Sequence, residues 1–501
     1  MDKVRATASG VLGDALLDAG QYLPMPCRQR HTCGKCGVYI AGDVEPPGAV
    51  EAALLARSRQ PDLPGYDYRL ACLTHFRGEA SVIASSISGV VVADVGMDLA
   101  TYDGSDPSSL GLAVDIGTTT VTVLLFRLGS RERLADASEL NHQVAHGADV
   151  LSRIDAANRA GVWPLQSLII AQLNAMIDQV LAAGAVDGAQ VTRMTVTGNT
   201  TMLHLLTGLP VQSLGVAPFT PVTLFGQTQP ASSMFDSLTN AELYLPPAIS
   251  TYVGPDITCG IVATGLGAGG RPELLIDLGT NGEMALALGG RLWCCATAAG
   301  PAFEGAEISS GMPALPGAIE DVFVDGGAVG YTTIEHRRPK GVCGTGLISA
   351  VNTWLDLGVV DESGAMDAEA TRIGGSEISL TRSDVRKLQL AKAAVAAGID
   401  TLLSEAGLAP SGVAALNLAG GFGSYLQAEP AIGIGLLPAA MADGVTPAGN
   451  SALSGAVLLT LSTAARRVAK QRADEAIEVS LATHSVFMDR YIENMAFRGD
   501  D

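Results

Sequence analysis

Two Asp-x-Gly-Thr turns, Asp115-Ile116-Gly117-Thr118-Thr119 and Asp277-Leu278-Gly279-Thr280-Asn281, stand 162 residues apart in this 501-residue chain. Each interrupts a β-rich run: Leu112-Ala113-Val114 and Val121 to Phe126 flank the first, Leu274-Leu275-Ile276 and Met284 to Leu288 the second. A turn built on glycine brings backbone N–H groups close to phosphate oxygens, and a threonine hydroxyl adds a donor. An aspartate at the strand end can hold a hydrated Mg²⁺ that bridges those oxygens. One Gly-Thr turn carries little information, but two facing each other across a cleft grip a nucleotide from both sides. The expected site therefore has Asp115 and Asp277 at the metal and Gly117, Thr118, Thr119, Gly279, Thr280 and Asn281 at the phosphates. A third glycine site, Asn417-Leu418-Ala419-Gly420-Gly421-Phe422-Gly423, follows a strand-like run, and Gly420 and Gly421 suit close approach to a nucleoside.

Four of the eight cysteines lie within the first 72 positions, as Cys27-x5-Cys33-x2-Cys36 and then Cys72. A tight loop of three thiolates with one distant partner is the arrangement that holds a [2Fe–2S] cluster. Tetrahedral Zn²⁺ is the alternative, although structural zinc sites usually show two CxxC knuckles and here there is one. Cys259, Cys294, Cys295 and Cys343 read as small buried residues. His142 and His146 are four apart but lack the glutamate and third ligand of a zinc helix.

Net charge is −20, which argues against nucleic acid or an anionic membrane as partner. Residues 1–80 carry nine basic and nine acidic side chains, so the whole deficit follows them. Arg28, Arg30, His31 and Lys35 form a basic patch around the cysteines, a solvated loop or a docking face for an acidic redox partner. No uninterrupted apolar run approaches the roughly 20 residues of a membrane helix, and no signal-peptide pattern opens the chain. Cytoplasmic residence is the default expectation.

Helical spacing covers about residues 10–20, 148–158 and 165–183, with Leu168, Leu173, Ile177 and Leu181 on one stripe. The polar stretch 101–109 reads as a linker, roughly 30 Å long if extended. Asp256 to Leu266 reads as a helix with a small-residue face, and its expected packing partner is the small-faced segment Ser454 to Leu459. Two such helices crossing closely make a hinge between lobes.

Hairpin, small-residue helix, hairpin, glycine site and second small-residue helix, in that order, resemble the actin/Hsp70/sugar-kinase ATPases. More narrowly, the chain resembles the reductive activators of corrinoid enzymes. The residues that carry the resemblance include Cys27-x5-Cys33-Gly34-Lys35-Cys36, Tyr68-Arg69-Leu70-Ala71-Cys72, Gly147-Ala148-Asp149-Val150, Gly198-Asn199-Thr200-Thr201-Met202, Ala299-Gly300-Pro301-Ala302-Phe303-Glu304-Gly305-Ala306 and Cys343-Gly344-Thr345-Gly346, beside the two hairpins and Gly420-Gly421-Phe422-Gly423.

The resemblance implies a multidomain chain. A small ferredoxin-like α+β [2Fe–2S] domain (1–95) and a linker (96–110) precede a two-lobed α/β ATPase (111–270 and 271–501) that ends in a return helix. Only about nine residues precede the first helix, short for the opening hairpin of a ferredoxin-like sheet. The implied activity is ATP-dependent return of an inactive Co(II) corrinoid protein to Co(I) for methyl transfer. The implied cofactors are the [2Fe–2S] cluster on Cys27, Cys33, Cys36 and Cys72, with ATP and Mg²⁺. The implied partners are a corrinoid protein and an electron donor such as a reduced ferredoxin or flavoprotein, and a homodimer is allowed. For one electron, each 59 mV of mismatch costs about 1.4 kcal/mol. A deficit of about 200 mV is therefore comparable to the ~5.5 kcal/mol that inverts a two-state population.

Rival readings are an ATP-driven activator of a dehydratase-type enzyme, and a non-redox kinase or nucleotide switch with a structural N-terminal metal site. Glu283, Glu304 and Asp256 all suit the orientation of attacking water, and the sequence does not choose among them.

Overall fold

The computed structural model describes residues 3–6, 10–18, 37–55, 65–84 and 99–498 apart from 148, 306 and 424. Its backbone divides into an N-terminal unit, which spans roughly the first 91 residues, and a second unit that holds nearly all the rest.

In the N-terminal unit the long strand His75–Ala84 is central. On one side it pairs antiparallel with Gly37–Val44, which in turn pairs with Asp67–Leu70. On the other side lie two short strands, Lys3–Ala6 and Gly10–Val11, both antiparallel to His75–Ala84. The described opening segments thus both pair with His75–Ala84 as short strands. Helix Leu12–Asp18 follows and contributes Leu12 and Leu16 to a core with Val38, Ile40, Leu70, Phe76 and Val82.

The second unit contains the same architectural idea twice. In one six-stranded sheet the order is Gln227–Pro230, Glu242–Leu245, Val191–Gly198, Leu110–Ile116, Thr120–Arg127, Arg133–Leu140. In the other it is Val445–Gly449, Ala415–Ala419, Glu273–Leu278, Gly282–Leu288, Arg291–Thr297, Ile477–Glu478. In both, the strand ending in the motif aspartate pairs antiparallel with the strand after its turn. On its other side it pairs parallel with a strand from later in the chain. Both aspartate strands are buried on two faces, which accounts for their near-continuous apolar runs.

Helix Trp163–Ala183 is long and apolar enough to cross a membrane by length and composition alone. It is a core helix: Leu165, Ile169, Leu173, Met176, Ile177, Val180 and Leu181 pack into the first sheet's core. The buried stripe runs through Leu165 and Ile169, while Leu168 is only half-buried. Three-and-four spacing from Leu173 leads back to those two residues.

The small-residue helices do meet. Pro255–Thr264 and Ser451–Leu461 cross so closely that a Cβ on Gly455 would lie 2.1 Å from the Cys259 carbonyl oxygen. They also exchange partners. Ile257 and Ile261 pack with Leu275, Ala285 and Leu292 of the second sheet, while Thr460 Oγ1 donates to Thr195 Oγ1 of the first at 2.8 Å. The chain therefore passes between the lobes twice.

The stretch 101–109 is not an extended tether. Asp103 accepts from Thr463 N (2.7 Å), Thr463 Oγ1 (2.6 Å) and Arg193 Nη1 (2.6 Å), and the Arg193 guanidinium lies over the Tyr102 ring. Burial raises the Asp103 pKa, but those donors outweigh it and hold the carboxyl at about 2. A carboxylate at the start of helix Thr463–Glu475 is where the helix dipole favours one. The polar, breaker-rich composition here serves caps and turns.

Candidate nucleotide site

Strand Leu110–Ile116 delivers Asp115 to its end, and the chain reverses at Gly117, whose N–H donates to Thr120 O at 2.9 Å. Three asparagines hold this turn, each doing two jobs. Asn141 Nδ2 donates to Gly117 O (2.8 Å) while its Oδ1 accepts from Gln143 N. Asn199 Nδ2 donates to Thr118 Oγ1 (3.2 Å) while its Oδ1 caps helix Thr200–Thr207 at Met202 N. Asn450 Nδ2 donates to Asp115 Oδ2 (2.9 Å) while its Oδ1 caps Ser451–Leu461 at Leu453 N. An asparagine at an N-cap has its carbonyl oxygen engaged and its amide free to donate. Here all three amides point at the same turn.

Arg153 lies behind the turn with no exposed surface. Its guanidinium donates to the carbonyls of Thr118 and Gly147 and to Gln143 Oε1, with Met202 Sδ at 3.2 Å. Burial lowers its pKa to about 10 against the pull of Asp149, so it stays charged at neutral pH. A cation thus sits under the first Gly-Thr turn of an acidic protein.

The second turn repeats the first in outline, with Gly279 N donating to Asn281 O at 3.0 Å. Gly420 has φ +89°, and a Cβ there would stand 2.5 Å from both Asp277 Oδ1 and Leu278 O. Only glycine allows the 415–423 segment to close on the aspartate. A Cβ on Gly421 would meet open space. Phe422 stacks on Phe303 with ring centroids 5.1 Å apart, which ties the glycine site to the short helical turn Pro301–Glu304.

The two turns meet at Glu304. Its Oε2 accepts from Thr119 Oγ1 at 3.0 Å and from Thr280 Oγ1 at 2.9 Å. One carboxylate oxygen thus joins both hairpins.

Four more carboxyls gather here: Asp115, Asp256, Asp277 and Glu283, the last directly opposite Asp277 in the hairpin register. Burial pushes the Asp115 carboxyl up to about 6, and the Asn450 donor pulls it back only in part. Asp256 rises to about 7 through burial and the charge of Asp115. Asp277 rises to about 8 through burial and the charges of Asp256 and Asp115. Glu283 is pushed well above its usual range, again first by burial and then by Asp256 and Asp277, with Asn281 working the other way. Packed anions that repel one another call for a cation. Among the described residues no three His, Cys, Asp or Glu side chains converge as direct metal ligands.

The residues expected from the sequence are thereby brought together around one point: the Asp115 and Asp277 strand ends, both Gly-Thr turns and Gly420. Asn141, Arg153 and Asn450 were not anticipated. For the two asparagines, a place one residue before a helix start was the only visible trace. Of the expected cluster ligands, Cys27, Cys33 and Cys36 lie outside the described residues. Cys72 is buried, 4% exposed, just after strand Asp67–Leu70. In that strand Arg69 donates twice to Glu51, from Nε to Oε1 (2.9 Å) and from Nη2 to Oε2 (2.7 Å). Cys259, Cys294, Cys295 and Cys343 are buried side chains, as expected.

Comparison with known proteins follows the same lines. Residues 110–268 match the RACo middle region, and residues 271–501 match the C-terminal domain of RACo, the ASKHA domain. A corrinoid activation enzyme, RamQ, of Eubacterium limosum is 33% identical over 78% of this chain and 70% of its own length. A [Co(II) methylated amine-specific corrinoid protein] reductase of Methanosarcina barkeri is 29% identical over 77% of each. The solved structure of a reductive activator for corrinoid, iron-sulfur protein covers 98% of this chain and 96% of that chain, with 29% identity and a TM-score of 0.73. The second unit has the actin-like, sugar-kinase-type ATPase fold, and the chain belongs to the RACo family of reductive activators of corrinoid proteins.

Proposed function

We propose that this chain carries out ATP-dependent reductive activation of a corrinoid protein, returning inactive Co(II) to Co(I) by one electron from an N-terminal [2Fe–2S] centre. The observation that carries the ATP half is the joining of two phosphate-type turns by Glu304 between two matching sheets. The N-terminal unit is read as ferredoxin-like, with Cys27, Cys33, Cys36 and Cys72 as cluster ligands. A [2Fe–2S] cluster supplies a single low-potential electron.

The remaining roles fall to the chain's own side chains. Asp115 and Asp277 hold a hydrated Mg²⁺. Gly117, Thr118, Thr119, Gly279, Thr280 and Asn281 bind phosphate, and Gly420 and Gly421 flank the nucleoside. Arg153 adds positive potential beneath Thr118. Closure of the lobes about the Pro255–Thr264 and Ser451–Leu461 crossing couples nucleotide state to the partner. A reduced ferredoxin or flavoprotein serves as electron donor, and the acidic second unit contacts the corrinoid protein.

The test is anaerobic reduction of a Co(II) corrinoid protein by the reduced full chain, followed by the cobalt absorption bands. Reduction with Mg-ATP and none without it is expected. Equal reduction in both arms removes the ATP coupling. No reduction in either arm, from protein that carries two irons per chain, removes the corrinoid assignment.

A further inference from the structure

The reading of the two hairpins as phosphate grips leaves open which group activates water. We infer that Glu304 is the catalytic carboxylate of ATP hydrolysis, held at the junction of the two hairpins by Thr119 and Thr280. The inference rests on the phosphate-grip reading and deepens it.

Three carboxylates compete for the role, and geometry separates them. Glu283 lies within the second hairpin opposite Asp277, 8% exposed, and takes a hydrogen bond from Asn281. Asp256 accepts from Ile257 N at 2.9 Å at the start of its helix. Both belong to the acidic floor beside Asp115 and Asp277, the two residues read as holding the hydrated metal. Glu304 stands outside that group. Its Oε2 reaches both threonine hydroxyls, and its Oε1 lies 3.9 Å from the place of a Cβ on Gly279, over the second turn.

The two hydroxyls each have one proton to donate. A phosphoryl group that contacts both turns must take these bonds over from Glu304. The carboxylate is then next to that phosphoryl group and free to accept a hydrogen bond from water. Its backbone cannot retreat far, because Phe303 is buried and stacked on Phe422. The step balances simply. Water oxygen bonds to the γ-phosphorus while the bond to the β,γ-bridging oxygen breaks, and its electron pair leaves with ADP. Glu304 takes the water proton and passes it to solvent, to which the side chain is partly open. Positioning a nucleophile and accepting its proton is what phosphoryl transfer asks of a protein.

This predicts a particular pattern in the full chain. Glu304→Gln keeps the size and the hydrogen bonds from both threonines but removes the charge and the basic oxygen. Its kcat for Mg-ATP hydrolysis should fall on the order of 100-fold. Mg-ADP should bind within about threefold of wild type or tighter, since a phosphate no longer displaces an anion. Glu304→Asp should recover part of kcat and lower the Mg-ADP affinity little.

A Glu304→Gln chain that hydrolyses ATP within about threefold of wild type while binding Mg-ADP normally overturns the inference and leaves the site standing. Loss of Mg-ADP binding in both variants, with wild type binding, also overturns it, because Glu304 is then a structural brace. Failure of wild type itself to bind Mg-ADP removes the phosphate-grip reading, and the inference with it.

Discussion

Asn450 donates its side-chain amide to Asp115 Oδ2 across 2.9 Å of space and 335 residues of sequence, while the same side chain caps the return helix at Leu453. The start of that helix and the orientation of the first motif aspartate are one structural event. Serine caps about as well as asparagine but cannot reach Asp115. Asn450→Ser should therefore leave the melting temperature nearly unchanged and weaken Mg-nucleotide binding by about three- to tenfold, the worth of one hydrogen bond. Calorimetric titration beside a thermal melt checks this. Unchanged affinity means the Asn450 bond only decorates the site.

Arg153 offers a sharper loss. Its charge is buried among carbonyls, so Arg153→Met leaves Thr118 O and Gln143 Oε1 short of donors. The expected cost is about 3 kcal/mol of stability. The KM for ATP should rise more than kcat falls, because the lost potential acts on bound phosphate. Denaturant unfolding and steady-state hydrolysis measure the two effects, and a kcat effect with unchanged KM contradicts the placement.

The acidic floor makes stability depend on pH and metal in a definite direction. Asp115, Asp256 and Asp277 titrate at about 6, 7 and 8 in the fold, above their ordinary carboxylate value. The folded protein holds protons that the unfolded chain has released, so metal-free stability is full only below the unfolded carboxylate value of about 4 and is lost as pH rises from there through 6 to 8. Mg²⁺ should restore it, and by more at pH 8 than at pH 5.5, with proton release on binding. Thermal shift across that range with and without Mg²⁺ tests the sign. A metal-free melting temperature that climbs with pH in this window rejects the arrangement.

In the N-terminal unit Glu51 accepts from Arg69 twice, from Leu70 N and from Thr74 Oγ1, on either side of Cys72 in the chain. Burial pushes its pKa up, but these donors more than offset that, so it lies below its ordinary value. Its contribution is present above the unfolded pKa and is lost as pH falls through the folded one. Glu51→Ala should cost this unit about 3–5 kcal/mol. With the cluster on Cys72, the visible spectrum should bleach before the second unit melts. Bleaching at the wild-type temperature separates Glu51 from the cysteine loop.

Removal of residues 1–98 leaves Leu99 and Ala100 to pack near Tyr244 and Cys259, and Asp103 on Arg193 and Thr463. The truncated chain should bind Mg-ATP and the corrinoid partner and lose reduction entirely. Failure to bind the partner shows that the N-terminal unit forms part of the contact.

The repeated Asp-x-Gly-Thr turns were legible in the sequence because a phosphate-type turn is local. It needs an aspartate at a strand end, a glycine and a hydroxyl within five consecutive residues. The small-residue helices were legible for a related reason, since a backbone crossing at the Gly455–Cys259 distance excludes side chains on both faces. The stretch 101–109 misled because helix-capping and loop-forming residues have the same composition. Its attachment through Asp103 depends on Arg193 and Thr463, far away in sequence. Glu304 could be named as one of three candidates and no further. Asn141, Arg153 and Asn450 could not be named at all. A hydrogen bond spanning 335 residues leaves no local pattern, and burial and charge proximity, which raise Asp277 to about 8, exist only once both sheets share one cleft.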